Sequence, residues 1–399
     1  MRGYFKMCFK QAIVLAAGEG ERLRPFTASK PKVMIRIGDK PVLQYVVEAL
    51  ERNGIRELIF VVGYKKEKIM DYFGDGRDLD VHIEYVVQEH LLGTGDALDQ
   101  AAGKAADRFL VLSGDNVIDA ATIADSELLN AAGNAVLIKA HADVSRYGVV
   151  TLDNGLVTAI TEKPEEEISN LVNTGIYAFG QEIFEFMGDE LTSGLIGMVN
   201  AGIPVRAYTT HGEWLDAVYP WDIIRLNDIV LKAVPAKIEG KIERGVILDG
   251  KVAIGKNSVI RANSYVKGPV IIGENCEIGP NSCIFPSTSI GNDTNIGAFT
   301  EIKNSVLMDM VRIGSFSSIH DSIFDTGSYA EGGFIARSEE TDIEIGGEHH
   351  KVSVGAMVGE YCELGNNIIA KPGTIIGNHA VIKSMKELSG KIPDGSLVV

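Results

Sequence analysis

The sequence lacks several things that would place it quickly. In 399 residues there is no run of eighteen apolar side chains, which excludes a membrane-spanning helix. It has no low-complexity tract and no basic face. Its 54 Asp and Glu outnumber 38 Lys and Arg, for a formal charge of −16, which argues against nucleic acid as the main partner. Cysteine is scarce, and Cys8, Cys276, Cys283 and Cys362 have neither metal nor redox spacing. The apolar run AIVLAA near the start is too short for a signal-peptide core and leads straight into glycines, so it reads as a buried strand. These absences together suggest a reducing cytoplasm.

What is present falls into two halves with different periods. Residues 12 to about 234 alternate strand-like and helix-like segments. The strand candidates are 12–16, 58–62, 109–113, 135–139 and 175–179, and the clearest helix is 41–53, PVLQYVVEALERN, with Pro41 at its start and Gly54 past its end. That order implies crossover connections and a mostly parallel sheet, with ligands beyond the carboxyl ends of the strands. After a connecting helix at about 221–234 the period becomes six. Ile or Val stands at 254, 260, 266, 272, 278, 284, 290, 296 and 302, and small or branched residues such as Ser258, Cys276 and Thr294 fill the fifth place of each unit. Neither a helix nor a flat sheet has that period; a parallel β-helix of hexapeptides does. The pattern slips by one residue near 308–313 and breaks around 325–350, which reads as a loop thrown out from the coil. The expected domains are 1–234 and 235–399.

The chemistry gathers at the front. VLAAGEGERLRP, residues 14–25, takes a strand into Gly18 and Gly20, whose backbone N–H groups can close around phosphate oxygens. Arg22 and Lys32, the latter in SKPK, can neutralise phosphate charge. Asp115 follows a strand in LSGDN, where it could hold a divalent ion or simply end a strand. Gln88, in QEHLLGTG, reads as an amide facing a base or as a solvated polar residue.

With LSGDN, RYGVV at 146–150, EKP at 162–164, NTGIYAF at 173–179 and WLD at 214–216, the first 230 residues resemble sugar-1-phosphate nucleotidylyltransferases. With the hexapeptide half, the chain is similar to archaeal and bacterial bifunctional N-acetylglucosamine-1-phosphate uridylyltransferase/acetyltransferases. The resemblance implies a Rossmann-like α/β domain followed by a left-handed parallel β-helix. It implies that a nucleotidyl group passes from a nucleoside triphosphate, UTP or dTTP for preference, to a sugar 1-phosphate such as glucose 1-phosphate or N-acetylglucosamine 1-phosphate, with release of pyrophosphate. Such chemistry needs positioning and charge neutralisation rather than a protein nucleophile. By resemblance, Arg22, Lys32, Asp115 and Lys163 are catalytic. Leu15, Ala17, Gly18, Gly20, Gln88, Gly93 and Thr94 bind nucleotide, and Gly148, Glu162, Lys163, Asn173 and Thr174 bind the sugar phosphate. Asp115 and Asp216 hold Mg²⁺, with Asp222 the rival for the second place.

The rear half departs from the bifunctional pattern. Aligned on Asp321, the family's basic histidine falls on Ser315 and its asparagine on Ser338, while His320 stands where the family has glycine. Serine does not accept a proton as imidazole does, so acetyl transfer from acetyl-CoA is expected to be weak, altered or absent. His320 reads as a solvated corner residue, on the same side one layer over or at the next corner from Ser315. His349 and His350 read as solvated loop residues, with metal or coenzyme phosphate as the alternative. Two further readings stay open: a bifunctional enzyme, and a regulatory or binding subunit that keeps the domain pair without the chemistry. A trimer, or a multiple of one, is the expected assembly.

Overall fold

The computed structural model describes residues 9–124, 127–142, 144–164 and 168–399, so Cys8 lies outside the described residues. In chain order the main elements are β1 (Gln11–Ala16), β2 (Arg36–Ile37), β3 (Lys40–Pro41), α1 (Val42–Arg52), β4 (Glu57–Val62), α2 (Lys66–Phe73), β5 (His82–Val87), α3 (Thr94–Asp99), β6 (Arg108–Ser113), β7 (Asn116–Ile118), α4 (Ala120–Ala124), β8 (Asn134–Ala140), β9 (Gly148–Asp153), β10 (Leu156–Glu162), β11 (Leu171–Gly180), α5 (Leu191–Asn200), β12 (Val205–Thr209), β13 (Trp214–Asp216) and α6 (Asp222–Ala233). Short strands of a coil follow. The chain divides into two compact units. The first comprises residues up to Glu19, Lys30–Met34 and Val42–Asp216; the second comprises Gly20–Ser29, Ile35–Pro41 and Ala217–Val399. The loop 20–29, the β2–β3 ladder and α6 therefore belong, by their contacts, with the coil.

The first unit is built on a nine-stranded sheet in the order β5-β4-β1-β6-β11-β8-β12-β10-β9. The β5-β4-β1-β6 half is parallel throughout. Its strands read as near-continuous apolar runs, such as LIFVV in β4, because both faces are covered. Residues 12, 14 and 16 of β1 enter one core and Ile13 the other. Beyond β6 the sheet is mixed: β11 runs antiparallel to both neighbours, and β12 is parallel to β8. Asn154 and Gly155 have φ of 50° and 79° in the two-residue turn joining β9 to β10, a turn that forces an antiparallel hairpin. Helix α1 buries Val42, Leu43, Val46, Val47, Ala49 and Leu50 along one stripe. It ends where Gly54, at φ 77°, lets the chain turn back so that the Ile55 N–H reaches the Leu50 carbonyl.

The second unit is a left-handed parallel β-helix of three sheets with nine, nine and eight strands. Register stacks Ile254 on Ile272 and Ile290, eighteen residues per coil, or three hexapeptides. The slip in the pattern appears as seventeen-residue coils, with Ile290 on Leu307 and Leu307 on Phe324. The inward Ile, Val, Leu and Phe residues form one continuous core. The fifth-place residues do more than fit. Ser258 donates to the Gly273 carbonyl and accepts from the Cys276 N–H, binding one coil to the next at 2.7 and 2.8 Å. Corners require φ > 0, and Asn257, Asn275 and Asp293 supply it at φ 57–60° while their side chains form a hydrogen-bonded ladder.

The break in the repeat is narrower than the sequence suggested. Coil strands continue through Tyr329–Ala330 and Ile335–Ala336, and the excursion is the antiparallel hairpin Glu339–Ile345/Glu348–Val354. Ala330 and Ala336 fill the inward places that Ile313 and Ile319 fill on the preceding coil, which hid these coils from the periodicity.

Candidate active site

In the first unit the chain runs from β1 to β4 and β5 on one side, then returns to β6 on the other. The reversal between β1 and β6 is a topological switch point, where a crevice opens beyond the carboxyl ends of the strands. Gly18 lies two residues past β1. A Cβ built there would meet nothing within 4 Å, so its backbone borders open space. Past β6, the Gly114 N–H donates to the Leu15 carbonyl at 2.8 Å and ties the two strand ends together. Asp115 comes next.

Lys32 Nζ lies 2.6 Å from Asp115 Oδ2, with both side chains mostly buried, and the Ser113 hydroxyl donates to Asp115 Oδ1 at 2.5 Å. Burial pushes the Asp115 carboxyl up, but the Lys32 charge and the hydrogen bonds from Lys32 and Ser113 outweigh it, so it is held below the usual aspartate value. Asp216 pairs with Asn116 in the β13–β7 ladder, one residue along from Asp115, and accepts a hydrogen bond from the Tyr147 hydroxyl at 3.0 Å. Its rival Asp222, in the second unit, is buried at the first residue of α6 and holds the turn before it, accepting the Val218 and Tyr219 N–H groups at 2.9 and 2.8 Å.

Gln88, one residue past β5, is buried rather than solvated. Its amide nitrogen donates to the Gly93 carbonyl at 3.0 Å and to Asp96 Oδ2 at 2.7 Å, which fixes the amide's orientation and leaves Oε1 as its unsatisfied end. Gly93, at φ 129°, and Gly95 pass so close to the 188–190 segment that a Cβ on either would stand 2.2 Å from a carbonyl oxygen. The Thr94 hydroxyl is engaged by Glu190 at 2.6 Å and by the Leu191 N–H at 3.0 Å, so it serves the start of α5. Leu15 and Ala17 flank the loop, the latter through its carbonyl to the Tyr64 N–H at 3.0 Å.

Gly148 stands opposite Glu162 in the β9–β10 pair, and a Cβ on Gly148 would come within 2.8 Å of the Glu162 carboxylate. Lys163, at φ 43°, leaves the strand with its N–H on the Tyr147 carbonyl. Asn173 donates to the Tyr177 hydroxyl at 2.7 Å and accepts from the Gly175 N–H. Thr174 is buried: its hydroxyl donates to the Leu137 carbonyl at 2.7 Å, and its own carbonyl accepts from Asn116 and Trp214. Ser113, Tyr147 and Asp96 went unread in the sequence, although each lies within or beside a quoted motif.

Arg22 and Gly20 fall in the second unit. Gly20, at φ 78°, accepts the Thr27 hydroxyl at 2.9 Å, and Arg22 lines a cavity with Arg24 and the hairpin residues Asp342 and Glu344. Elsewhere in that unit, Ser315 lies in one corner and His320 ends the strand that follows, at the next corner. His320 is not a solvated residue. Its Nε2 is hydrogen-bonded to Glu301 on the preceding coil, and its side chain is 20% exposed. His350 likewise is packed, its ring 4.3 Å from Tyr219 and 5.4 Å from Trp221. His349 is exposed beside Asp342, whose hydrogen bond raises its pKa. Ser338 precedes the hairpin. Cys276, Cys283 and Cys362 are free thiols, and burial pushes Cys362 up to about 11. Among the described residues no cluster of three or more His, Cys, Asp or Glu is arranged to hold a metal, and no helix is long and apolar enough to cross a membrane.

An open glycine and a lysine–aspartate pair at a topological switch point suit a phosphorylated ligand, and the comparisons with known proteins agree. Residues 11–228 match the nucleotidyl transferase family. The chain belongs to that family. Residues 266–343 match the GMPPB C-terminal domain. Over 93% of its length the chain is 35% identical to "Bifunctional protein GlmU" of Methanococcus maripaludis, covering 92% of that protein. It is 32% identical to the "Bifunctional sugar-1-phosphate nucleotidylyltransferase/acetyltransferase" of Sulfurisphaera tokodaii, across 93% of this chain and 95% of that one. A solved UDP-glucose pyrophosphorylase bound to UDP-glucose matches 57% of this chain and all of its own, with 25% identity and a TM-score of 0.50. This nucleotidyl transferase carries its family's domain ahead of a β-helix, and the match to both relatives runs over most of the two units.

Proposed function

We propose that this nucleotidyl transferase joins UTP or dTTP to a sugar 1-phosphate, glucose 1-phosphate or N-acetylglucosamine 1-phosphate, and releases pyrophosphate. The observation that carries the proposal is the Lys32–Asp115 pair beyond β6, beside the open Gly18 backbone at the switch point. Two carboxylates on neighbouring strands, Asp115 and Asp216, are the donor set Mg²⁺ accepts when it keeps waters and substrate phosphates as its other ligands. Bound there, Mg²⁺ would supply charge neutralisation for the phosphates. Lys32 then exchanges its carboxylate partner for a phosphate oxygen, and Lys163 holds the sugar phosphate as it attacks the α-phosphorus. With its amide nitrogen committed, Gln88 offers Oε1 to a ligand N–H, which a pyrimidine N3–H matches. Glu162 accepts from sugar hydroxyls, and Gly148 leaves its carboxylate room; Asn173 adds an amide contact. Gly93, and Thr94 through its backbone, line the base side with Leu15, Ala17 and Gly18. A pyrophosphate-release grid of four nucleotides against four sugar 1-phosphates tests the reading. Turnover confined to UTP or dTTP supports it, and turnover confined to purine nucleotides contradicts it.

For the second unit the full-length relatives named as bifunctional favour acetyl transfer from acetyl-CoA, whereas Ser315 and Ser338 at the aligned positions oppose it. We take the β-helix as a scaffold whose acetyl transfer is weak or absent. It also serves assembly into trimers: Phe299 and Phe316 occupy corner positions at φ 56° and 63°, stack at 5.3 Å, and lie 55% and 70% exposed where neighbouring coils use Asn or Gly. Light scattering of the purified protein tests this, and a monomer would contradict it. Buried free thiols suit the cytoplasm.

A further inference from the structure

A cavity of about 700 Å³ opens within the second unit, between the start of α6, two corners of the coil and the hairpin strand ending at Val354. That volume is within the range that takes a small organic molecule. Four ionisable side chains line it, and their partners differ by sign. Asp228 is held by Lys232 at 2.7 Å and by the Ser287 hydroxyl, and Asp321 by Asn304. Arg225 and Lys303 line the same space, and among the described residues neither side chain has a hydrogen bond or an ion pair. Asp228 is thus neutralised by Lys232 and Asp321 is hydrogen-bonded by an amide, while the two cations, both on exposed residues, are left to a ligand or to water. Lys303 is moreover stacked in register with His320 on the next coil. In a chain of net charge −16, two unpaired cations in one cavity make a local anion site rather than part of a general field.

The remaining wall is apolar. Trp221 contributes its indole, held in place by the stacked Tyr219 ring at 4.9 Å, and Pro286 and Val352 face the same space. A bare anion would leave that wall unused. We propose that the cavity binds an organic phosphate, its phosphate on Arg225 and Lys303 and its body against Trp221. The site uses none of the residues assigned to nucleotidyl transfer.

The test is calorimetric titration of the protein with inorganic phosphate, glycerol 3-phosphate and adenosine 5′-monophosphate in turn. The comparison protein is the Arg225→Gln/Lys303→Gln variant, checked for its melting temperature and its pyrophosphate release. The proposal expects the wild type to bind at least one organic phosphate more tightly than inorganic phosphate. It expects the double variant to lose that binding at least tenfold while keeping pyrophosphate release, with Lys303→Arg retaining the binding. Binding of none of the three, equal binding by the double variant, or a preference for inorganic phosphate would overturn it. If the double variant fails to melt cooperatively, Trp221→Ala gives the decision: organic phosphate binding unchanged by that substitution also overturns the proposal.

Discussion

Asp216 pairs with Asn116 across the β13–β7 ladder, which sets it one residue along from Asp115, and the Tyr147 hydroxyl donates to its carboxylate at 3.0 Å. Asp222, six residues on, spends its Oδ2 on the Val218 and Tyr219 N–H groups. Asp216, preferred in WLDAVYPWD over its rival Asp222, thus has different partners from it. Asp216→Asn should lower pyrophosphate release by roughly 10²-fold or more and leave the melting temperature nearly unchanged. Asp222→Asn should cost about 1–2 kcal/mol of stability, as weakening buried hydrogen bonds to a charged group does, with much of the activity retained. Thermal melts and initial rates on both variants check this.

The Lys32–Asp115 pair predicts a pH signature. Asp115 is held below the ordinary aspartate value, so the pair's contribution to stability is complete above the unfolded-state carboxyl pKa and is lost as pH falls through the lowered folded-state value. Replacing Lys32 by Gln leaves burial, which pushes the carboxyl up, opposed only by the hydrogen bonds from Ser113 and the backbone. The Asp115 carboxyl, followed by carbon NMR, should titrate below the usual range in the wild type and clearly higher in Lys32→Gln. The acid limb of the stability curve should flatten in the variant.

Backbone approach, not ligand contact alone, demands glycine in the GTG stretch. Gly95→Ala would place a methyl 2.2 Å from the Gly188 carbonyl oxygen, and Gly93→Ala would add an unfavourable φ of 129° to the same kind of clash. Each should destabilise the protein by about 2 kcal/mol or more in denaturant melts, with Gly18→Ala near neutral because its surroundings are open.

In the rear half, the wild type with acetyl-CoA and glucosamine 1-phosphate or galactosamine 1-phosphate should release little or no thiol above background. Robust turnover would assign the base role elsewhere, and the His320–Glu301 pair would be the first place to look.

Much of this was legible in the sequence because it repeats or is fixed by backbone needs. Isoleucine every six residues can satisfy only a coil with three short faces, and strand–glycine junctions locate the ligand end of a parallel sheet. What stayed hidden depends on partners remote in sequence. The Thr174 hydroxyl bonds the carbonyl of Leu137, thirty-seven residues away, and His320 looked solvated because Glu301 lies nineteen residues away, on the previous coil. Likewise, nothing local in GEGERLRP says that Gly20 and Arg22 keep company with the coil. The mixed half of the sheet was signalled by Asn154–Gly155, a hairpin turn whose meaning is local but whose consequence for strand direction is not.

The central claim is that Asp115, paired with Lys32, serves nucleotidyl transfer through a divalent ion. The most direct measurement is pyrophosphate release from UTP and N-acetylglucosamine 1-phosphate, or glucose 1-phosphate, by wild type and Asp115→Asn, with and without chelator. The account predicts wild-type turnover that stops on chelation and returns with excess Mg²⁺, and a folded Asp115→Asn protein that is nearly inactive. A folded Asp115→Asn protein with full activity, or wild-type turnover indifferent to chelation, would contradict it.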